Sequence, residues 1–238
     1  MKLYVYCLVE GINALSGPVR GIGGAPVRLE KIEGLGVLVS DFDDDAVPVT
    51  QENAMDHAAA VRSVLDRTTP LPFRFGTLVS EQQLRSFIVA RKPALETNLS
   101  LVRDCVEMGV KIIWDVPKDK EDEPREREDG IGTTFLAAKR REILGSELRA
   151  AQAREISTWL HQSMSGLIQA EKVSTQPSEK LFLTAAHLVG RVNVEQYREK
   201  TAQVRDERLD LHFLLSGPWP PYSFANIELE FKTQFGVS

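Results

Sequence analysis

Only two of the 238 residues are cysteine, Cys7 and Cys105. They are too few and too far apart for a disulfide framework or a CxxC pair. One falls in an apolar strand and the other in an amphipathic helical pattern, so both read as buried, inert thiols. Long hydrophobic runs are missing as well. No stretch is apolar enough to cross a bilayer, and the run in residues 1–10 is too short for a signal peptide. The expectation is a cytoplasmic protein without membrane contact. The net charge is −5 and there is no basic stripe with interleaved aromatics, which argues against nucleic acid as a partner.

Signatures of catalysis are also lacking. His57, His161, His187 and His212 are scattered and form no HxxxH, HExxH or Cys–His arrangement. His57 and His187 read as packed structural histidines, His161 as a surface one. No serine stands in GxSxG. Carboxylates fall in an acidic turn, a charged linker and helix surfaces, not alone in an apolar stretch where a raised pKa would suit acid–base work. No catalytic residue, cofactor or metal is expected, and the chain does not read as an enzyme.

Two motifs imitate sites. Asp41, Asp43, Asp45 and Glu52 match positions 1, 3, 5 and 12 of a calcium loop. Position six is Ala46 instead of glycine, Pro48 stiffens the loop and a strand precedes it, so an acidic turn before a helix N-terminus is favoured. The Gly21-Ile22-Gly23-Gly24 run lacks the spacing of a phosphate-binding loop and precedes a strand, so it reads as a flexible loop.

What is present supports a core: 42 % hydrophobic and 26 % charged residues, ordinary values for a globular chain. Residues 2–9 read as a buried strand, and 27–32 with 35–40 as a hairpin across Glu33-Gly34. A helix over 50–67 is capped by Thr50. A short strand follows at 73–75. Ser80 with Gln83 makes a capping box for a helix that Pro93 should stop near Arg91, with another helix opening there and running to about 108. Residues 1–108 thus predict an N-terminal mixed α+β domain, and 109–238 a second domain. The latter opens with a strand at 110–115 and a charged loop at 118–130 that cannot fold by itself. A long helical segment covers 133–172, with Gly145 as a candidate kink. A strand at 180–189, a helix capped by Asn193 and Gln196, a strand at 208–216 and a possible last strand around Ile227 complete it. The fold class is α+β with two domains, the second a ferredoxin-like sandwich with altered connections.

The least generic stretch is LSGPWPPYSF, residues 215–224. It follows an alternating run in which Leu209, Leu211, Phe213 and Leu215 predict one buried strand face. Gly217 and the prolines at 218, 220 and 221 should end the strand in a stiff corner. That corner carries Trp219, Tyr222 and Phe224, either as core packing or as a partner-contact anchor. Arg74, between Phe73 and Phe75, is a further candidate contact. An apolar stripe from Leu136 to Ile168 along the long helix reads first as core.

Four stretches carry a family resemblance: KLYVYCLVEGI at 2–12, LPFRFGTLVS at 71–80, GVKIIWDV at 109–116 with TTFLAAKRRE after it, and LSGPWPPYSF. Together the chain resembles the gas vesicle protein family labelled F and L. Cys7 stands where members commonly carry a small residue. The resemblance implies an N-terminal α+β domain and a modified ferredoxin-like C-terminal domain. It also implies a non-catalytic accessory or minor structural role in gas vesicle assembly, in contact with the major shell protein and other accessory proteins, with the protein at the gas vesicle or in the cytoplasm. The competing reading is a small-molecule-binding regulatory module or enzyme on a ferredoxin-like scaffold, which would need a pocket near Arg74 or His187.

Overall fold

A computed structural model of the chain describes residues 2–115, 131–176 and 180–227. They fall into two compact units. The first holds residues 2–107 together with the described residues from Pro218 onward, and the second is Met108–Gly217.

The first unit is built around strand β1, Lys2–Val9, whose residues from Leu3 onward are all buried. Its sheet runs β2-β3-β4-β1-β5, with β2 at Val19–Arg20, β3 at Pro26–Ile32, β4 at Leu35–Phe42 and β5 at Leu71–Pro72; β6, Leu78–Val79, also pairs with β1. The hairpin turn between β3 and β4 has positive φ at Glu33 and Gly34, 52° and 88°, the form whose twist matches paired strands. The register of β1 against β4 slips between Val5 and Cys7. This bulge at Tyr6 resets the alternation of side chains. Tyr4 before it, Tyr6 itself, and Cys7 and Val9 after it therefore join one core cluster with Ala60, Val61 and Val64.

Helix α1, Gln51–Arg62, begins where expected, with the Thr50 side chain accepting from Asn53 N–H. The Ser80–Gln83 capping box opens helix α2. That helix runs unbroken from Glu81 to Val102 with Pro93 inside it, contrary to the expected stop near Arg91. The buried stripe Leu84, Ile88, Leu95, Leu99 and Val102 continues through the proline, and its burial outweighs the roughly 3 kcal/mol that an interior proline costs. Asp104, at φ 55°, turns the chain out of the helix, so Cys105 opens a strand and is not helical. The strand expected at 73–75 is displaced to either side: Gly76, φ 83°, makes a tight turn in which the Arg74 carbonyl accepts from Thr77 N–H at 3.2 Å.

The second unit runs β7 (Cys105–Asp115), α3 (Ile131–Met164), β8 (Ile168–Gln176), β9 (Lys180–Gly190), α4 (Val194–Glu207) and β10 (His212–Trp219). The sheet order β10-β7-β9-β8 with this βαββαβ sequence is the ferredoxin-like arrangement. Helix α3 spans 34 residues without a break at Gly145, about 51 Å at 1.5 Å per residue. It ends at Met164 because Gly166, φ 86°, supplies a left-handed stop, so 168–172 is strand instead of helix. Ala153, Ile156, Leu160 and Met164 form its buried face, while Leu148 is exposed. Asn193 precedes α4 without a side-chain cap. The parity expected for 209–215 also changes: Leu211 is buried but Leu209 is exposed, and the strand continues through Gly217 and Pro218 to Trp219. The charged stretch 118–130 and most of the expected last strand lie outside the described residues.

Candidate functional site

The prolines after Trp219 decide the local path. Pro220 and Pro221 are buried, and a 3-10 turn over Tyr222–Phe224 follows, with the Pro221 carbonyl accepting from the N–H groups of Phe224 at 3.1 Å and Ala225 at 3.0 Å. The corner docks within the first unit by named polar contacts. Glu107 accepts from Ser223 N–H at 2.7 Å through one carboxylate oxygen and from the Ser223 hydroxyl at 2.7 Å through the other. The Asn98 side chain donates to the Phe224 carbonyl at 3.3 Å and accepts from Asn226 N–H at 3.1 Å. Phe224 and Ile227 are buried. The partners of this segment, Asn98 and Glu107, lie in the first unit, and it groups with that unit.

Trp219 and Tyr222 remain partly open, 42 % and 39 % exposed. The Arg62 guanidinium lies 5.4 Å from the centre of the Trp219 ring, a cation–π distance. The Tyr222 ring stands 6.4 Å from His57. The corner thus lies beside α1, and its four functional candidates separate. Trp219 and Tyr222 present aromatic surface, and Phe224 is an internal anchor. Arg74 is exposed and makes no ion pair among the described residues.

Beneath the corner is a buried polar network. Gly76 N–H donates to the Tyr4 hydroxyl at 3.1 Å, and that oxygen lies 2.8 Å from His57 Nδ1. The arrangement that uses the hydroxyl proton has Tyr4 donating to Nδ1, which places the imidazole proton on Nε2. Nε2 is buried without a hydrogen-bond partner among the described residues. Burial lowers the His57 pKa from 6.5 to about 4, so the ring is neutral at pH 7. In the second unit His187 is likewise fully buried, with Nδ1 2.7 Å from the Tyr197 hydroxyl. His161 is a surface residue, its Nδ1 2.9 Å from Glu171. Both buried histidines are core groups without a substrate-accessible face.

The acidic turn is paired: Lys2 donates to Asp45 at 2.7 Å and Arg28 to Asp41 at 2.9 Å. The glycine loop is tied down, with Gly21 N–H donating to the Ala25 carbonyl at 2.8 Å and Ile22 N–H to the Tyr6 hydroxyl at 3.0 Å, so it is not the flexible loop expected. A polar cleft of about 330 Å³ lies among Glu10, Arg67, Thr68, Arg103 and Asp104. Two of its arginines are engaged, Arg103 with Glu10 at 2.6 Å and Arg67 with the Ala14 carbonyl at 2.8 Å. Neither Arg74 nor His187 lines it.

Sequence reasoning missed Arg62, Asn98 and Glu107. The first two carry no local signal. Glu107 did: it sits between Val106 and Met108, both buried, in a stretch read as helix surface. Glu107→Ala leaves Ser223 without its acceptors and should cost about 2 kcal/mol. Hydrogen exchange should show the Ser223 amide exchanging at least tenfold faster, while exchange in β8 and β9 is unchanged.

Comparison with known proteins agrees with the architecture. The family model described as "Gas vesicle synthesis protein GvpL/GvpF" matches residues 2–226. Gas vesicle protein L2 of Halobacterium salinarum is 29 % identical over 258 residues, covering 93 % of this chain and 90 % of that protein. Gas vesicle protein F1 of the same organism is 25 % identical, covering 99 % and 98 %. The crystal structure of GvpF from Anabaena sp. PCC7120 superposes with a TM-score of 0.79 at 20 % identity, covering 95 % of this chain and 99 % of that one. The structure of GvpF from Microcystis aeruginosa gives 0.74 at 19 % identity. These structures share its fold, and on the match across 2–226 the chain belongs to the gas vesicle synthesis protein GvpL/GvpF family.

Proposed function

We propose that the protein is a non-catalytic accessory or minor structural component of gas vesicle assembly, working in the cytoplasm or at the vesicle through contact with the major shell protein and other accessory proteins. The family match over residues 2–226 supports the gas vesicle role, and the Trp219 corner supports the contact: a double-proline aromatic segment anchored by Phe224 and Glu107, with Trp219 and Tyr222 left half open beside Arg62. Trp, Tyr and Arg are the side chains most often found as interface anchors. Holding them on a fixed backbone reduces the entropy lost on binding.

Trp219→Ala separates contact from packing. The Arg62–Trp219 interaction is at the surface, so its loss should cost the fold only about 1 kcal/mol. The expected result is an unfolding midpoint close to wild type and at least tenfold less shell protein recovered in co-purification. Undiminished recovery with both Trp219→Ala and Tyr222→Ala would move the contact elsewhere.

A further inference from the structure

A second surface lies wholly inside the second unit, between α4 and β10. Strand β10 ends its sheet: β7 flanks one side, and no strand flanks the other among the described residues. Of residues 212–216 only Phe213 is not exposed, and Leu214 and Leu215 are open to 56 % and 39 %. An edge with exposed leucines is a template for strand addition, and proteins ordinarily blunt such edges with charge. Residues 213–217 contain none.

The helix-facing side of this edge is a groove of about 180 Å³ lined by Arg198, Thr201, Ala202, Arg205, Phe213 and Leu215. Its floor is fixed, since Phe213 stands edge-on to Trp159 of α3 at 6.2 Å. Its walls carry two positive charges and no negative one. Arg198 and Arg205 are seven residues apart, which puts them on one side of α4 about 10 Å apart along its axis. They pair with Glu195 at 2.7 Å and Asp206 at 3.0 Å. Those pairs are solvent-exposed, and exposed pairs are weak enough to be exchanged for a ligand's carboxylates. Arg198 also reaches the Gly217 carbonyl at 3.4 Å, so the open stretch is 212–216.

From this edge and its charge we infer that the groove receives an extended acidic segment of a partner protein, added to β10 as a fifth strand. In such a segment side chains i, i+2 and i+4 share a face, and the outer two are about 13 Å apart. A carboxylate at each end would meet Arg198 and Arg205, and an apolar residue between them would cover Phe213 and Leu215. The intervening residues, also apolar, would lie on the face of Leu214. A second copy of the chain fits less well, because edge-to-edge pairing would set the arginines of the two copies against each other. This inference does not depend on the gas vesicle reading.

The test uses the full chain and two fluorescein-labelled peptides with soluble flanks, Glu-Val-Val-Val-Glu and Lys-Val-Val-Val-Lys, followed by fluorescence anisotropy at low salt. The glutamate peptide should bind at least tenfold more tightly than the lysine peptide and weaken with added salt. Methylating alternate backbone amides should remove binding at least tenfold, as strand pairing requires. In a chain with Arg198→Glu and Arg205→Glu, whose folding is checked by circular dichroism, the preference should reverse. Equal binding of both peptides by the wild-type chain, or none, overturns the inference. So does a dimer in sedimentation that Leu214→Lys dissociates, which would assign the edge to a second copy.

Discussion

Lowering the pH from 7.5 to 5 should destabilise both units, by about 2 kcal/mol for each buried histidine. His57 and His187 have their pKa lowered from 6.5 to about 4, mainly by burial. Between those values the unfolded chain binds a proton that the folded chain refuses. Stability is therefore complete above about pH 7, falls as the pH drops through 6.5 toward 4, and levels off below. The full loss approaches about 3 kcal/mol per histidine. The exposed carboxylates with shifted pKa values, Asp45 and Asp210, are lowered by Lys2 and Arg208 and titrate below this window. Urea unfolding at the two pH values reads the effect directly, and His57→Gln should remove the share that belongs to the first unit. A midpoint that does not move between pH 7.5 and 5 would mean that the histidines are not held neutral in dry surroundings.

Gly21→Ala should cost about 3 kcal/mol, the upper range for an overpacked site. A Cβ there would stand 1.8 Å from the Tyr6 hydroxyl, 2.6 Å from Tyr6 Cζ and 2.9 Å from Val27 Cγ2. Conformation is not the reason, since Gly21 has φ −116°, which any residue adopts. The reason is the room taken by the Tyr6 hydroxyl, which is buried, 2.9 Å from Ser40 Oγ, and accepts from Ile22 N–H. Tyr6 cannot retreat without losing both bonds. Tyr6→Phe with Gly21→Ala should therefore cost less than the two single changes added together, because the first removes the nearest of the three atoms that the second strikes. Strict additivity, or a Gly21→Ala midpoint within error of wild type, would show that the loop is loose at Tyr6.

The elements legible in the sequence were those specified by neighbours in the chain. Strand β1, the Glu33-Gly34 hairpin, the Thr50 cap and the Ser80–Gln83 box each depend on residues a few positions apart. The misread ones depend on something else. Pro93 is tolerated because a buried face runs through it, and the bulge at Tyr6 is visible only against the register of β4. Gly166, at φ 86°, stops α3 even though the apolar spacing continues past it. The corner was recognisable as Pro-Trp-Pro-Pro-Tyr, but its return to the first unit was not, because Asn98 and Glu107 hold it from more than a hundred residues away.

The claim that the protein serves gas vesicle assembly is tested most directly by deleting its gene in the gas-vesicle-forming host that carries it, with no second family member present, and examining cells by electron microscopy. Absent or misshapen vesicles are expected, restored by the wild-type gene and not by a folded Trp219→Ala variant. Vesicles of normal number and shape after the deletion would contradict it.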